Sequence, residues 1–154
     1  MKALIHKIRL LSQEDKSVTI WDGDVERKAR AVTAFAALTP SGIPLELRTL
    51  LLEFGNVVLG PIELFGVHRN YKDRTDIRKI YNSYRALEGF PEEVIPVASE
   101  DDGTAYCVNS SGDISLYSIG GGTKDLGITY EDLIRTLLER YQQIRDRPSV
   151  SGNY

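Results

Sequence analysis

Near the start of the chain Leu4, Ile8 and Leu11 recur one helical turn apart. Residues three and four apart share a helix face, so this spacing predicts a short amphipathic helix over residues 2–13. The β-branched run SVTIW (17–21) reads as a short extended piece. Asp22 or Asp24 is then placed to cap a second helix, on which Val25, Ala29, Val32 and Ala36 fall along one side with Phe35 beside them. Thr39-Pro40 closes that helix, because a proline disfavours helical backbone in the residue before it. Pro44 suits the opening turn of a third helix, where its missing N–H removes nothing. Leu47, Leu50, Leu51 and Phe54 form the stripe of that helix, and Gly55 is expected to end it in a left-handed conformation. IELFGV (62–67) reads as the first strand of whatever covers the stripe.

A polar patch separates this half from DIRKIYNSYRAL (76–87). There Ile77, Ile80, Tyr81, Tyr84 and Leu87 line one helix face, with Thr75 or Asp73 as the expected cap and Gly89 as the stop. EVIPVAS, TAYCVN and DISLYS then alternate as three short strands separated by the turn clusters EDDG and SSGD, the last two as a hairpin. GGGTKDLG (120–127) reads as a flexible connection. Thr129 with Asp132 approximates a capping box. Tyr130, Leu133, Ile134, Leu137, Leu138, Tyr141 and Ile144 follow with the cleanest helical period in the chain. The last residues, 147–154, are expected to fray. With no repeat and no interdomain linker, residues 1–146 read as one domain. Helices, then a run of strands, then a closing helix, without regular βαβ alternation, predict an α+β fold with a mostly antiparallel or mixed sheet packed by helices.

Composition adds limits. A chain of 154 residues is long enough for one domain with a substantial core. No apolar run approaches the roughly 20 residues needed to span a bilayer. Lys7 and Arg9 interrupt the N-terminal apolar stretch, which does not read as a signal peptide. The single cysteine precludes an internal disulfide and agrees with a reducing compartment, so a cytoplasmic location is the expectation. A net charge of −3 argues against nucleic acid as the partner. The charge is nonetheless uneven. Between His68 and Glu88 lie Arg69, Lys72, Arg74, Arg78, Lys79 and Arg85, whereas residues 91–116 contain no Lys or Arg and hold Glu92, Glu93, Glu100, Asp101, Asp102 and Asp113.

Candidate chemistry is sparse. His6 and His68 are far apart and in no metal-ligand pattern. Cys107 sits in a predicted strand with acidic surroundings, the opposite of what activates a thiolate. GGGTK (120–124) lacks the phosphate-loop spacing, and the next helix begins too late to complete a cradle. SEDDGT lacks the calcium-loop pattern, and adjacent turn carboxylates lack the burial that tunes a general acid. Arg74, Arg78 and Arg85 lie roughly along one helix face as a phosphate or RNA track, against the simpler reading of a solvated face. No catalytic, cofactor-binding or metal-binding residue is therefore assigned.

Several segments, taken in order, resemble the SUKH superfamily of Smi/Knr-type proteins, and within it the YobK-type branch of bacterial immunity proteins. IPLELRTLLLEFGN (43–56) is similar to the family's LP-x-x-[YF]-x-x-F-L-x-x-x-[NG]-G helix and its glycine exit, and GPIELFGV (60–67) to the strand that follows. RTDIRKIYNSYRALEGFPEEVIPVASEDDGTAYCVN (74–109) resembles the family's helix, its P-x-x-[VIL]-[IV]-P-[IV]-A strand and the strand ending [YF]-x-C-[LV]-[DN]. ITYEDLIRTLL (128–138) is like the aromatic-acidic start of its final helix. The chain departs from the pattern at Leu47, where an aromatic is usual, at Leu51, and in lacking a Trp-Asp after its last predicted strand.

The resemblance implies a non-catalytic recognition domain without cofactor. It implies a cytoplasmic immunity protein that binds and neutralises a cognate secreted toxin, of nuclease type, by direct protein contact. The alternative it leaves open is a regulatory adaptor of cell-wall or other cellular assemblies. For the toxin reading, Glu92, Glu93, Glu100, Asp101, Asp102 and Asp113 are the candidate partner-binding residues, as an acidic surface suited to a cleft built for phosphates. A third class, a small enzyme or RNA binder using the Arg74/Arg78/Arg85 face, is the remaining rival.

Overall fold

The computed structural model describes residues 1–68, 76–100 and 103–148. Along the chain run α1 (Lys2–Glu14), β1 (Val18–Trp21), α2 (Val25–Leu38), α3 (Leu45–Glu53), β2 (Asn56–Leu59), β3 (Ile62–Leu64), α4 (Ile77–Arg85), β4 (Ile95–Ser99), β5 (Thr104–Val108), β6 (Asp113–Ser118), β7 (Gly122–Thr129) and α5 (Tyr130–Arg145). The strands form one seven-stranded sheet in chain order, antiparallel at every step. The α+β expectation holds, and the sheet is antiparallel rather than mixed. No helix among the described residues is long and apolar enough to cross a membrane.

Alternation and register decide which side chains share a face. Val18, Leu59 and Ile62 line up across β1–β3, as do Val108 and Ile114 across β5–β6. They meet Leu4, Ile8 and Leu11 of α1, Leu47, Leu50 and Leu51 of α3, and the α5 stripe from Tyr130 to Tyr141 in the main core. Each such fully buried side chain contributes about 1.5–3 kcal/mol relative to exposure. On the opposite face of the same sheet, Ala105, Cys107 and Tyr117 form a smaller cluster with Phe90, covered by Tyr84 and Leu87. Phe90 meets Tyr117 edge-on at 4.9 Å between ring centres. Helix α4 serves both sides, giving Ile77 and Tyr81 to the main core and Tyr84 to the smaller cluster.

Several expectations are corrected. The stretch 120–127 is not a flexible connection: Gly122–Thr129 is an edge strand pairing with β6 from Ser118↔Gly122 to Asp113↔Thr129. Its glycines hide the alternation that places Leu126 and Ile128 against the core. Strand β2 also escaped notice, because NVVL directly follows a helix stop. On α2 the buried stripe is Lys28, Val32 and Phe35, while Val25 is 73% exposed. The Lys28 ammonium donates to the Glu53 carbonyl at 3.0 Å, a favourable place for a cation at the end of α3. Helix α4 is capped by Asp76, a residue nearer than expected, and Thr75 and Asp73 lie outside the described residues. Gly55 is not left-handed. Its N–H donates to the Trp21 carbonyl at 2.6 Å, and a Cβ there would lie 1.8 Å from the Trp21 ring. Close approach, not φ, requires this glycine.

The capping box of α5 is present. The Thr129 hydroxyl accepts from the Asp132 N–H at 3.2 Å, and the Asp132 carboxylate accepts from the Thr129 N–H at 3.3 Å. The Thr129 backbone and hydroxyl bonds hold the Asp132 carboxyl below its ordinary pKa, and the Tyr141 hydroxyl, donating to Asp15, does the same there. Both carboxyls thus bind protons less readily folded than unfolded. The stability they add is full above the unfolded carboxylate pKa and is lost as pH falls through the folded values. The thermal midpoint is therefore expected to drop below about pH 4. Asp15→Asn and Asp132→Asn should lower it near neutrality and shallow that acid limb, as read by circular dichroism melts from pH 2 to 7. An acid limb identical to that of the parent chain would refute this assignment.

Candidate functional site

Asp76 organises one candidate region. It is fully buried, and its carboxylate accepts from the N–H groups of His68 (2.7 Å) and Arg78 (2.9 Å) and from the Arg78 guanidinium at 2.9 and 2.8 Å. Arg78 also donates to the His68 carbonyl at 3.2 Å. A helix cap, a strand exit and a guanidinium are thereby fixed to one carboxylate. Trp21, at the end of β1, stacks on the His68 ring with centres 5.0 Å apart and planes 23° from parallel. Gly23 and Gly55 leave room for the indole, since a Cβ at Gly23 would lie 2.5 Å from it.

Beside this stack lies a shallow groove of about 330 Å³, lined by Arg27, Arg30, Ala31, Ala34, His68 and Arg78. The α2 residues stand at i, i+3, i+4 and i+7, one stripe distinct from its buried Lys28/Val32/Phe35 face. The lining thus combines small alanines with arginines. Glu26 reaches Arg30 only at 3.9 Å with both side chains largely exposed, a pair of little energetic weight.

Among the described residues, the predicted acidic side chains do not form one patch. Glu92 and Glu93 are exposed in the approach to β4, between Pro91 and Val94. Those two neighbours line a groove of about 370 Å³ together with Asn109, Asp113, Ile114, Ser115, Thr123 and Asp125. Glu92, Glu93 and Asp113 therefore gather at one end of the sheet. Glu100 stands at the far end of β4, separated from them by the whole strand, about 16 Å long by strand rise. It is engaged there, accepting from the Tyr106 hydroxyl at 2.8 Å and from Arg140. Burial first, then the Glu100 hydrogen bond, pushes the Tyr106 hydroxyl up to about 12. Asp101 and Asp102 lie outside the described residues.

The other candidates resolve into ordinary roles. His6 is exposed on α1. Cys107 is buried, and that burial pushes its thiol up to about 12, away from the nucleophilic thiolate. Gly120–Gly122 is a hairpin turn, with Gly120 and Gly122 at φ 79° and 77°. Among the described residues no group of three or more His, Cys, Asp and Glu is placed to hold a metal ion. The arginine track is not a row. Arg78 is turned onto Asp76, Arg85 lies over the Tyr81 ring at 5.4 Å, and Arg74 is outside the described residues.

A comparison with protein-family models matches residues 39–142 to SUKH_5, described as SMI1-KNR4 cell-wall. The chain belongs to the SUKH family. No curated protein matches it. The SUKH match covers α3 to α5 and every strand after β1, so the acidic groove lies wholly within it. The basic groove straddles its boundary: His68 and Arg78 are inside, whereas Trp21, Arg27 and Arg30 precede it. Sequence reading missed Asp125 because it fell in a segment taken for a loop. It missed the Trp21/His68/Arg27/Arg30 grouping because no local spacing links β1, α2 and the exit of β3.

Proposed function

We propose that this SUKH domain is an immunity protein that binds a secreted toxin and blocks it by direct protein contact. Membership of the SUKH family across residues 39–142 carries the proposal, because the resemblance implies toxin neutralisation for the bacterial members. The toxin-facing surface is the acidic groove, lined by Asp113 from the predicted set and by Asp125, together with Glu92 and Glu93 on the exposed segment between its Pro91 and Val94. Its lining includes no Lys or Arg. Such a surface complements the cationic cleft of a nuclease, where opposite fields speed encounter and fix orientation. Glu100 is assigned to the fold through Tyr106 and Arg140 rather than to the partner. The family's cell-wall description supports one second reading, a regulatory adaptor in cell-wall assembly.

The deciding experiment co-expresses the chain with the toxin domain encoded beside it and scores growth. Rescue is expected, together with co-purification of the two products. Charge reversal in Glu92→Lys/Glu93→Lys/Asp113→Lys should then slow association about tenfold at low salt and flatten its salt dependence. Rescue without any kinetic change would remove the acidic groove from the interface. Absence of rescue or complex would favour the adaptor.

A further inference from the structure

We propose that the groove between α2 and the exit of β3 is a second docking surface, and that it takes an acidic polypeptide segment of a partner protein. The surface is opposite in charge to the acidic groove and separate from it. Between Arg78 and the Pro91/Val94 loop runs the whole of α4, about 13 Å by helical rise.

Three observations converge on the occupant. First, Arg27 and Arg30, on one stripe of α2, line the same groove as Arg78, which is held by the buried Asp76. Guanidinium groups present planar forks of donors that match carboxylates two bonds at a time. Arg78 is already engaged by Asp76 and the His68 carbonyl, so Arg27 and Arg30 supply the forks. Second, the lining between the arginines includes Ala31 and Ala34, small enough to let a polypeptide backbone lie close to the helix. Third, His68 of the groove lining stacks on Trp21. Trp and Arg are the residues most enriched where binding energy concentrates in protein interfaces. The same composition with net charge −3 favours a protein segment over a nucleic acid, whose extended polyanion would also meet the acidic remainder of the molecule.

The chain contains one tryptophan, so Trp21 fluorescence reports on this groove without any label. The full chain is titrated with a short synthetic peptide of alternating Glu and Gly. The same peptide with Gln for Glu, a single-stranded oligonucleotide of equal charge, and inorganic phosphate serve as separate arms. The Glu peptide is expected to give a saturable change in Trp21 emission that weakens with salt, and the Gln peptide none. Arg27→Glu/Arg30→Glu should weaken the Glu peptide about tenfold or more, and Arg27→Gln/Arg30→Gln less. Both residues are exposed, so the melting temperature of each variant should match the parent chain and separate lost binding from lost fold. Reversal of Glu92, Glu93 and Asp113 should leave the signal intact, which makes this result independent of the toxin experiment. An absent or non-saturable response to the Glu peptide, an unchanged response in the Glu variant, or tighter binding of the oligonucleotide or phosphate would overturn the proposal.

Discussion

Asp76→Ala is expected to destabilise the protein by about 3–5 kcal/mol, the scale of a buried ion pair broken on one side. The loss is large because one carboxylate answers four donors. Its removal takes this acceptor away from the N–H groups of His68 and Arg78 and from the Arg78 guanidinium, only 19% exposed. It also uncaps α4 and loosens the approach of Ile77, whose N–H donates to the Gly66 carbonyl at 2.8 Å. Domains of this kind are stable by about 5–15 kcal/mol in total, so urea unfolding should show a midpoint shifted far toward zero denaturant. Asp76→Ala combined with Arg78→Ala should recover part of the loss, because the cation that loses this acceptor is removed as well. A single variant within about 1 kcal/mol of the parent chain would mean that the carboxylate is not the organising group.

Gly66→Ala is expected to be worse, on the order of 4–5 kcal/mol or outright failure to fold. A Cβ at Gly66 would fall 1.2 Å from the Gly55 carbonyl oxygen and 2.3 Å from its carbon. Both obstacles are backbone, so no rotamer change relieves them. Gly55 cannot withdraw either, because its own N–H is held by Trp21 and its Cα lies against the indole. Gly103→Ala is the control. That residue is left-handed at φ 77° with nothing within 4 Å of the added carbon, so it should cost only about 1–2 kcal/mol. Equal losses in the two variants, measured by chemical denaturation, would show that strain in φ rather than backbone contact governs these glycines.

How legible each element was follows from where its information resides. Helices α1, α3 and α5 were readable because three or more large aliphatics recur at helical spacing on each, and those stripes are buried apart from Ile144, which is 37% exposed at the end of α5. Strands β4 to β6 were readable as short runs of strand-forming residues bounded by the turn clusters EDDG and SSGD. The reading failed where a non-local contact outweighs local pattern. Lys28 lies on the buried stripe of α2 because a carbonyl from α3 awaits it, and nothing in VERKARAV announces that partner. Gly55 looked like a helix terminator, yet its role is set by Trp21, distant in sequence. Strand β7 is an exposed edge whose few apolar residues sit among glycines, so its pairing comes from β6 rather than from propensity. The same distinction holds for the surfaces. The acidic side chains were visible as a composition shift, but their division between two ends of the sheet is a matter of register. The basic groove draws its residues from β1, α2, the β3 exit and α4, and only folding brings them together.

The chain-order sheet has a consequence for assembly in time. From β4 onward each strand finds its mate across a short turn, so the β4–β7 sheet closes at little cost in chain entropy. The β1–β2 pair is different: Trp21 meets Asn56 only after α2 and α3 have been gathered between them. The tryptophan is therefore expected to order late, with its groove forming once the N-terminal third joins the rest of the sheet.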